Sequence, residues 1–234
     1  MFPLYDINHA RRPAFVVKGL VFLNALAFLW QLSVGLEWSA QAYGFIPALF
    51  FQDPVGQGYR LLTSMFLHGS FFHILSNMWF LWVFGDNVED RMGHGRFLLF
   101  YLLTGVVAAG SHVAVDPDSV IPMVGASGAI SAIMGAYLVL YPRARVQTLF
   151  IIIIIIRIFS LPAWFFLLYW LSIQVASSAL QGPGAGGGVA FWAHIGGFLA
   201  GVILVKFFQN PDLVRAKRSG ALIHRRDLRG GGWW

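Results

Sequence analysis

Residues 123–137 read MVGASGAISAIMGAY. Three glycines, four alanines and two serines sit among otherwise apolar residues. Small residues at this density let membrane helices pack backbone to backbone. The same letters contain Gly125-Ala126-Ser127-Gly128, a pattern that can present a nucleophilic serine. Ser127 is thus open to two readings, a packing residue or a catalyst.

The sequence on either side of this stretch decides the setting. The chain has 234 residues, 58% hydrophobic and 11% charged, whereas soluble domains carry about 25% charged residues. The surplus apolar surface needs lipid. Six runs approach the roughly 20 residues that span a bilayer as a helix. They lie at about 15–34, 71–90, 96–115, 125–141, 161–180 and 189–208. The expected fold is therefore an all-α polytopic membrane protein with six transmembrane helices. The second run is weakest, because FFHILSNMWFLWVF stops at Gly85, and the fourth is short. Between the fourth and fifth lies TLFIIIIIIRIF (148–159). It is too short to span separately, and its β-branched isoleucines favour an extended or interfacial conformation. The absence of cysteine removes disulfides, thiolate nucleophiles and thiolate metal sites.

The charges orient the spans. With the N-terminus inside, Arg11, Arg12, Lys18, Arg91, Arg96, Arg143, Arg145, Arg157, Lys206 and the basic tail all fall inside, and only Arg60 falls outside. This is the positive-inside asymmetry, and it places both termini in the cytoplasm. The net charge of +6 thus reports membrane topology and not a nucleic-acid partner. Ala40-Gln41-Ala42 loosely imitates a signal-peptidase site, but the run before it is long for a signal sequence, and the first span reads as a retained helix. Three segments follow: a cytoplasmic stretch 1–14, a membrane core 15–208, and a basic cytoplasmic tail 209–234 suited to anionic lipid. The outer segment 35–70 carries Trp38, Tyr43, Phe45, Phe50, Phe51 and Tyr59, aromatics that settle at the headgroup level. Short loops and a compact core suggest a bacterial inner membrane.

Polar side chains inside spans are costly and tend to mark working sites. His73 and Asn77 lie in the second span, Ser127 in the fourth and His194 in the sixth. At about 1.5 Å rise per residue, Ser127 sits roughly 9 Å below the outer edge of a 30 Å hydrocarbon core. His194 lies about 7–8 Å deep, and His73 and Asn77 about 3 and 9 Å. All four share one slab near the outer face. His73 and Asn77, at i and i+4, share a helix face. So do His194, Gly197 and Gly201 on the sixth span, and Ser127, Ser131 and Gly135 on the fourth, with Gly128 and Ala132 beside them. Two small-residue faces can meet closely and bring Ser127 towards His194. Taken singly, each residue has a packing explanation. Their common depth, face and chemistry favour function.

A serine hydroxyl attacks only when a base takes its proton. With no Asp or Glu at that depth, the arrangement is a Ser127–His194 dyad. The oxyanion that forms needs donors: free amides at the start of the fourth helix, and the side chains of His73 and Asn77. Gly125 and Gly128 leave room for the turn and for a substrate backbone. QGPGAGGG (181–188) suits a flexible gate or a plain linker. No metal is expected, since no carboxylate joins His73 and Asn77, and no cofactor is implied.

HGSFFHILSN (68–77), GDNVEDRMG (85–93), GASG (125–128) and AHIGG (193–197) occur in this order. Over about residues 55–208 the chain resembles the rhomboid family of intramembrane serine proteases. The resemblance implies a six-helix core, a water-filled cavity opening outward, and cleavage of single-span membrane proteins. It makes Ser127 the nucleophile and His194 the base, with His73, Asn77 and the Ser127 amide as the oxyanion hole. His68 becomes a structural histidine, and Glu89, between Gly85 and Gly93, a structural carboxylate at the inner end. Gly125, Gly128 and Gly197 support the site. Two departures stand out. The family's Trp-Arg pair is Tyr59-Arg60 here, and Ser131 occupies a place where some members stack an aromatic on the histidine. The alternative reading is a non-proteolytic relative that binds membrane clients. A transporter finds no support, for there is no inverted repeat.

Overall fold

The computed structural model describes residues 1–8, 10–152, 155–181 and 190–219. The expected gate at 181–188, apart from Gln181, and the tail after 219 lie outside the described residues.

Apolar helices form where lipid-length runs occur. They are α1 (Phe15–Val34), α6 (Phe71–Met92), α7 (His94–Val113), α8 (Ser127–Leu140), α9 (Ala163–Gln181) and α10 (Phe191–Phe208). Among the described residues, four helices are long and apolar enough to cross a membrane: α1, α7, α9 and α10. α8 is apolar but shorter, and α6 ends in the charged run Asp86, Glu89, Asp90 and Arg91. Four short helices occupy the segment between α1 and α6, namely α2 (Leu36–Tyr43), α3 (Pro47–Gln52), α4 (Pro54–Gln57) and α5 (Arg60–Thr63). A final helix α11 (Pro211–Ser219) follows α10.

The all-α expectation needs correction. A three-stranded antiparallel sheet joins β1 (Phe2–Asp6), β2 (Arg145–Ile152) and β3 (Ile155–Pro162) in that order. β2 and β3 hold the described part of the isoleucine run, in register from Arg145↔Pro162 to Ile152↔Ile155. β-Branched residues suit this pleated conformation. β1 pairs from Phe2↔Leu149 to Asp6↔Val146. It also follows α6: the Trp79 indole donates to the Pro3 carbonyl (2.6 Å), and the Asn87 amide donates to the Asp6 carboxylate (2.9 Å). Tyr137 of α8 donates to the same carboxylate. The N-terminal stretch is thus anchored to two helices.

Glu89 explains how α1 docks. The first amides of a helix lack intrahelical partners, and Ala14 offers no side-chain cap. Glu89 accepts from the Val16 and Val17 amides at 3.0 and 2.9 Å, placing a carboxylate where the helix dipole favours it. His94 lies 2.5 Å from the same group. Gly93, at φ 82°, supplies the left-handed turn into α7 that a side chain would strain.

The packing of α8 on α10 positions the site. An added Cβ on Gly197 would strike the Gly128 carbonyl, on Gly201 the Ala132 carbonyl, and on Gly135 the Phe198 carbonyl. The two backbones therefore touch directly along the small-residue faces marked out in the sequence. Gly128 also packs on Ala108 of α7.

At the end carrying residues 35–70, Arg60 is buried and donates to the carbonyls of Gln41 (2.7 Å) and Gly44 (3.0 Å). Tyr59 donates to the Ala42 carbonyl. The Tyr59-Arg60 pair thus holds α5 to the end of α2. Gln31 of α1 pairs with the backbone of His68, accepting from its amide at 2.8 Å.

Candidate active site

Ser127 is the first residue of α8, His73 the third of α6 and His194 the fourth of α10. All three helices start at the end of the bundle that carries residues 35–70. The turn into α8 is fixed by Gly125, at φ 127°, whose amide donates to the Ser64 carbonyl (2.9 Å). Nothing caps α8 through a side chain, so its first amides stay available.

Ser127 Oγ lies 2.8 Å from His194 Nε2. On the other side of the ring, His194 Nδ1 lies 2.8 Å from Gln174 Oε1 of α9. Trp170, one turn earlier on α9, sets its ring 5.9 Å from the imidazole, centroid to centroid. Phe191 meets the imidazole edge-on. A serine in contact with an imidazole whose far nitrogen is fixed can be activated for attack.

His73 and Asn77 of α6 face the same cavity. The Gly69 amide donates to His73 Nδ1 (3.3 Å), which leaves the proton of that neutral ring on Nε2. A Cβ built on Gly125 would lie 2.8 Å from His73 Nε2 and 3.5 Å from Ser127 Oγ. Only glycine leaves that space clear for another molecule's backbone. Asn77 is buried, and its Nδ2 has no partner among the described residues. An unpaired buried donor on a cavity wall calls for an acceptor from outside. A cavity of about 700 Å³ contains Ser127, His194, His73, Asn77 and Gly128, with Trp170 on its apolar wall.

Of the other expected residues, His68 lies beside His73, Ser131 beside Ser127, and Glu89 far from both. His68 is fully buried and packs edge-on to His73 at 5.1 Å between centroids. Burial, reinforced by His73, holds its pKa down at about 3, so it is a neutral strut. Glu89 sits at the opposite end, docking α1, and does not reach the pair. Ser131 turns its hydroxyl to the Ser127 carbonyl (2.6 Å) and gives the histidine no aromatic face. Gln174 and Trp170 escaped the sequence reading. The signal was present, because Gln174 is an amide within a span and shares an i, i+4 face with Trp170. Gln174 carries no charge, and so lacks the carboxylate by which a third member is ordinarily recognised.

The helices and cavity define an integral, multi-pass membrane protein. The family model for the rhomboid domain matches residues 55–210, and the chain belongs to the rhomboid family. It is 28% identical over 200 residues to Rhomboid protein 1, mitochondrial, of Saccharomyces cerevisiae, covering 82% of this chain and 52% of that protein. It is 36% identical over 152 residues to Rhomboid protease GluP of Bacillus subtilis, covering 64% of this chain and 26% of that protein. It is 29% identical over 202 residues to the human Presenilin-associated rhomboid-like protein, mitochondrial, covering 82% and 48% respectively. The chain spans about half the length of the mitochondrial relatives and a quarter of GluP.

Proposed function

We propose that the chain is an intramembrane serine endopeptidase that cleaves single-span membrane proteins near the outer side of the bilayer. The observation that carries this reading is the 2.8 Å contact between Ser127 Oγ and His194 Nε2, made across two helices inside a cavity. α6 and α8 count with the four long apolar helices as spans, giving six, with the N-terminal segment and α11 on the inner side.

In this mechanism the Ser127 hydroxyl attacks the scissile carbonyl and its proton passes to His194 Nε2. The oxyanion takes hydrogen bonds from the Ser127 amide, Asn77 Nδ2 and His73 Nε2. The positive end of the α8 dipole favours the same charge. The imidazolium then protonates the leaving amine, and water returns through the same base to release the acyl group. GluP of Bacillus subtilis carries the word protease in its name, and the intact Ser127–His194 pair favours the enzyme over a client-binding relative without activity. The bacterial inner membrane expected from the short loops rests on the loops alone, since the named relatives include mitochondrial proteins as well as one from Bacillus subtilis.

The test is cleavage of a single-span substrate by the purified chain in liposomes. Wild type should cut, whereas Ser127→Ala and His194→Ala should each lose activity to a similar extent, because the pair acts as one unit. Equal cutting by Ser127→Ala would remove the proposal.

A further inference from the structure

We propose that Gln174 is the positioning residue of the base, standing where a hydrolase triad places a carboxylate. The inference rests on the Ser127–His194 reading.

The two nitrogens of His194 are engaged at equal distance, 2.8 Å to Gln174 Oε1 and 2.8 Å to Ser127 Oγ. An amide oxygen only accepts, so Nδ1 carries the ring proton. In the neutral imidazole Nε2 then holds the free lone pair and accepts from the serine hydroxyl. The orientation of the amide follows from its other contact. Gln174 Nε2 faces the Trp170 carbonyl at 3.4 Å. Turning the amide over would set two carbonyl oxygens against each other and bring an NH₂ group to Nδ1. Gln174 is buried, which limits competition from water for its side of the contact.

The Trp170 ring packs against the same imidazole, tilted by 37° at 5.9 Å, and stacks on Phe198 of α10 at 6.2 Å. One turn of α9 thus meets the imidazole through a hydrogen-bond acceptor and an aromatic ring. This accounts for Ser131, whose hydroxyl is spent on the Ser127 carbonyl: support for the base comes from α9 and not from α8. An amide differs from a carboxylate in one respect. It fixes the tautomer and brings no charge to the imidazolium formed when Ser127 gives up its proton.

The experiment uses the full chain in liposomes, with a fluorophosphonate probe for Ser127 and cleavage of a single-span substrate across pH. Gln174→Leu keeps the bulk and loses the acceptor. Its kcat should fall about 10–100-fold, a part of what general-base catalysis supplies, with KM within about twofold of wild type. Gln174→Glu restores an acceptor and adds charge. A carboxylate favours the protonated ring, so the acid limb of kcat/KM should move to higher pH, with activity recovered above it. Wild-type kcat in Gln174→Leu would overturn the inference. So would equal losses in both variants with an unmoved acid limb, the outcome of a packing role. If wild type labels at Ser127 and cuts while Gln174→Leu does both undiminished, only the Gln174 assignment falls. If folded wild type neither labels nor cuts, the dyad reading falls and takes this inference with it.

Discussion

Replacing Gly197 by alanine tests how helix contact makes the site. Gly197 lies one turn after His194, and a Cβ there would strike the carbonyl oxygen of Gly128, the residue after Ser127. The carbonyl carbon behind it, 3.1 Å away, leaves no second way out, and Ala108 closes the side at 3.4 Å. Ordinary contact with that oxygen requires α10 to retreat from α8 by about 1 Å. Added to the 2.8 Å between Ser127 and His194, this gives about 3.8 Å, beyond hydrogen-bond range. A misplacement of about 1 Å costs on the order of 100-fold in rate. Overpacking should also cost about 1–3 kcal/mol of stability. The assay is the second-order rate of fluorophosphonate labelling at Ser127, measured on protein checked for folding by thermal melting. Gly110→Ala of α7 is the control. A Cβ there meets nothing within 4 Å, so labelling should match wild type. Labelling of Gly197→Ala at the wild-type rate would refute the argument that backbone contact between α8 and α10 sets the dyad.

Two further outcomes follow from the geometry. Asn77→Ala removes one of three proposed oxyanion donors and should lower kcat about 10–1000-fold with little change in melting temperature, read from substrate cleavage and a thermal melt on the same preparation. Glu89→Ala strands the Val16 and Val17 amides and should cost about 2–4 kcal/mol of stability, while protein that stays folded labels at Ser127 at the normal rate.

Much of the helical frame was legible because lipid imposes length and apolarity on each crossing segment. The α8–α10 contact was legible for a different reason: Gly128, Ala132 and Gly135 face Gly197 and Gly201 at helical spacing, and backbones approach where side chains are absent. Ser127, His194, His73 and Asn77 line one cavity, as helix rise counted from the span ends led one to expect. The sheet was half legible. Residues 148–159 showed their extended preference through β-branching, but their partner FPLYD (2–6) is short and carries Pro3. Its pairing with Val146–Leu149 is set by contacts far apart in sequence, which no local pattern encodes. The order of residues 35–70 was hidden likewise, because Arg60 binds carbonyls of Gln41 and Gly44, and carbonyls carry no sequence signature. Gln174 was not legible as a partner of His194, because an amide within a span serves helix packing as readily as it fixes an imidazole.

The most direct test of the central claim is mass-spectrometric mapping of the adduct formed when the folded chain, in liposomes, meets a fluorophosphonate. A nucleophilic Ser127 activated by His194 predicts one adduct, on the peptide holding Ser127, absent in Ser127→Ala and lost in His194→Ala. An adduct on another serine, or undiminished labelling of Ser127 in His194→Ala, would contradict it.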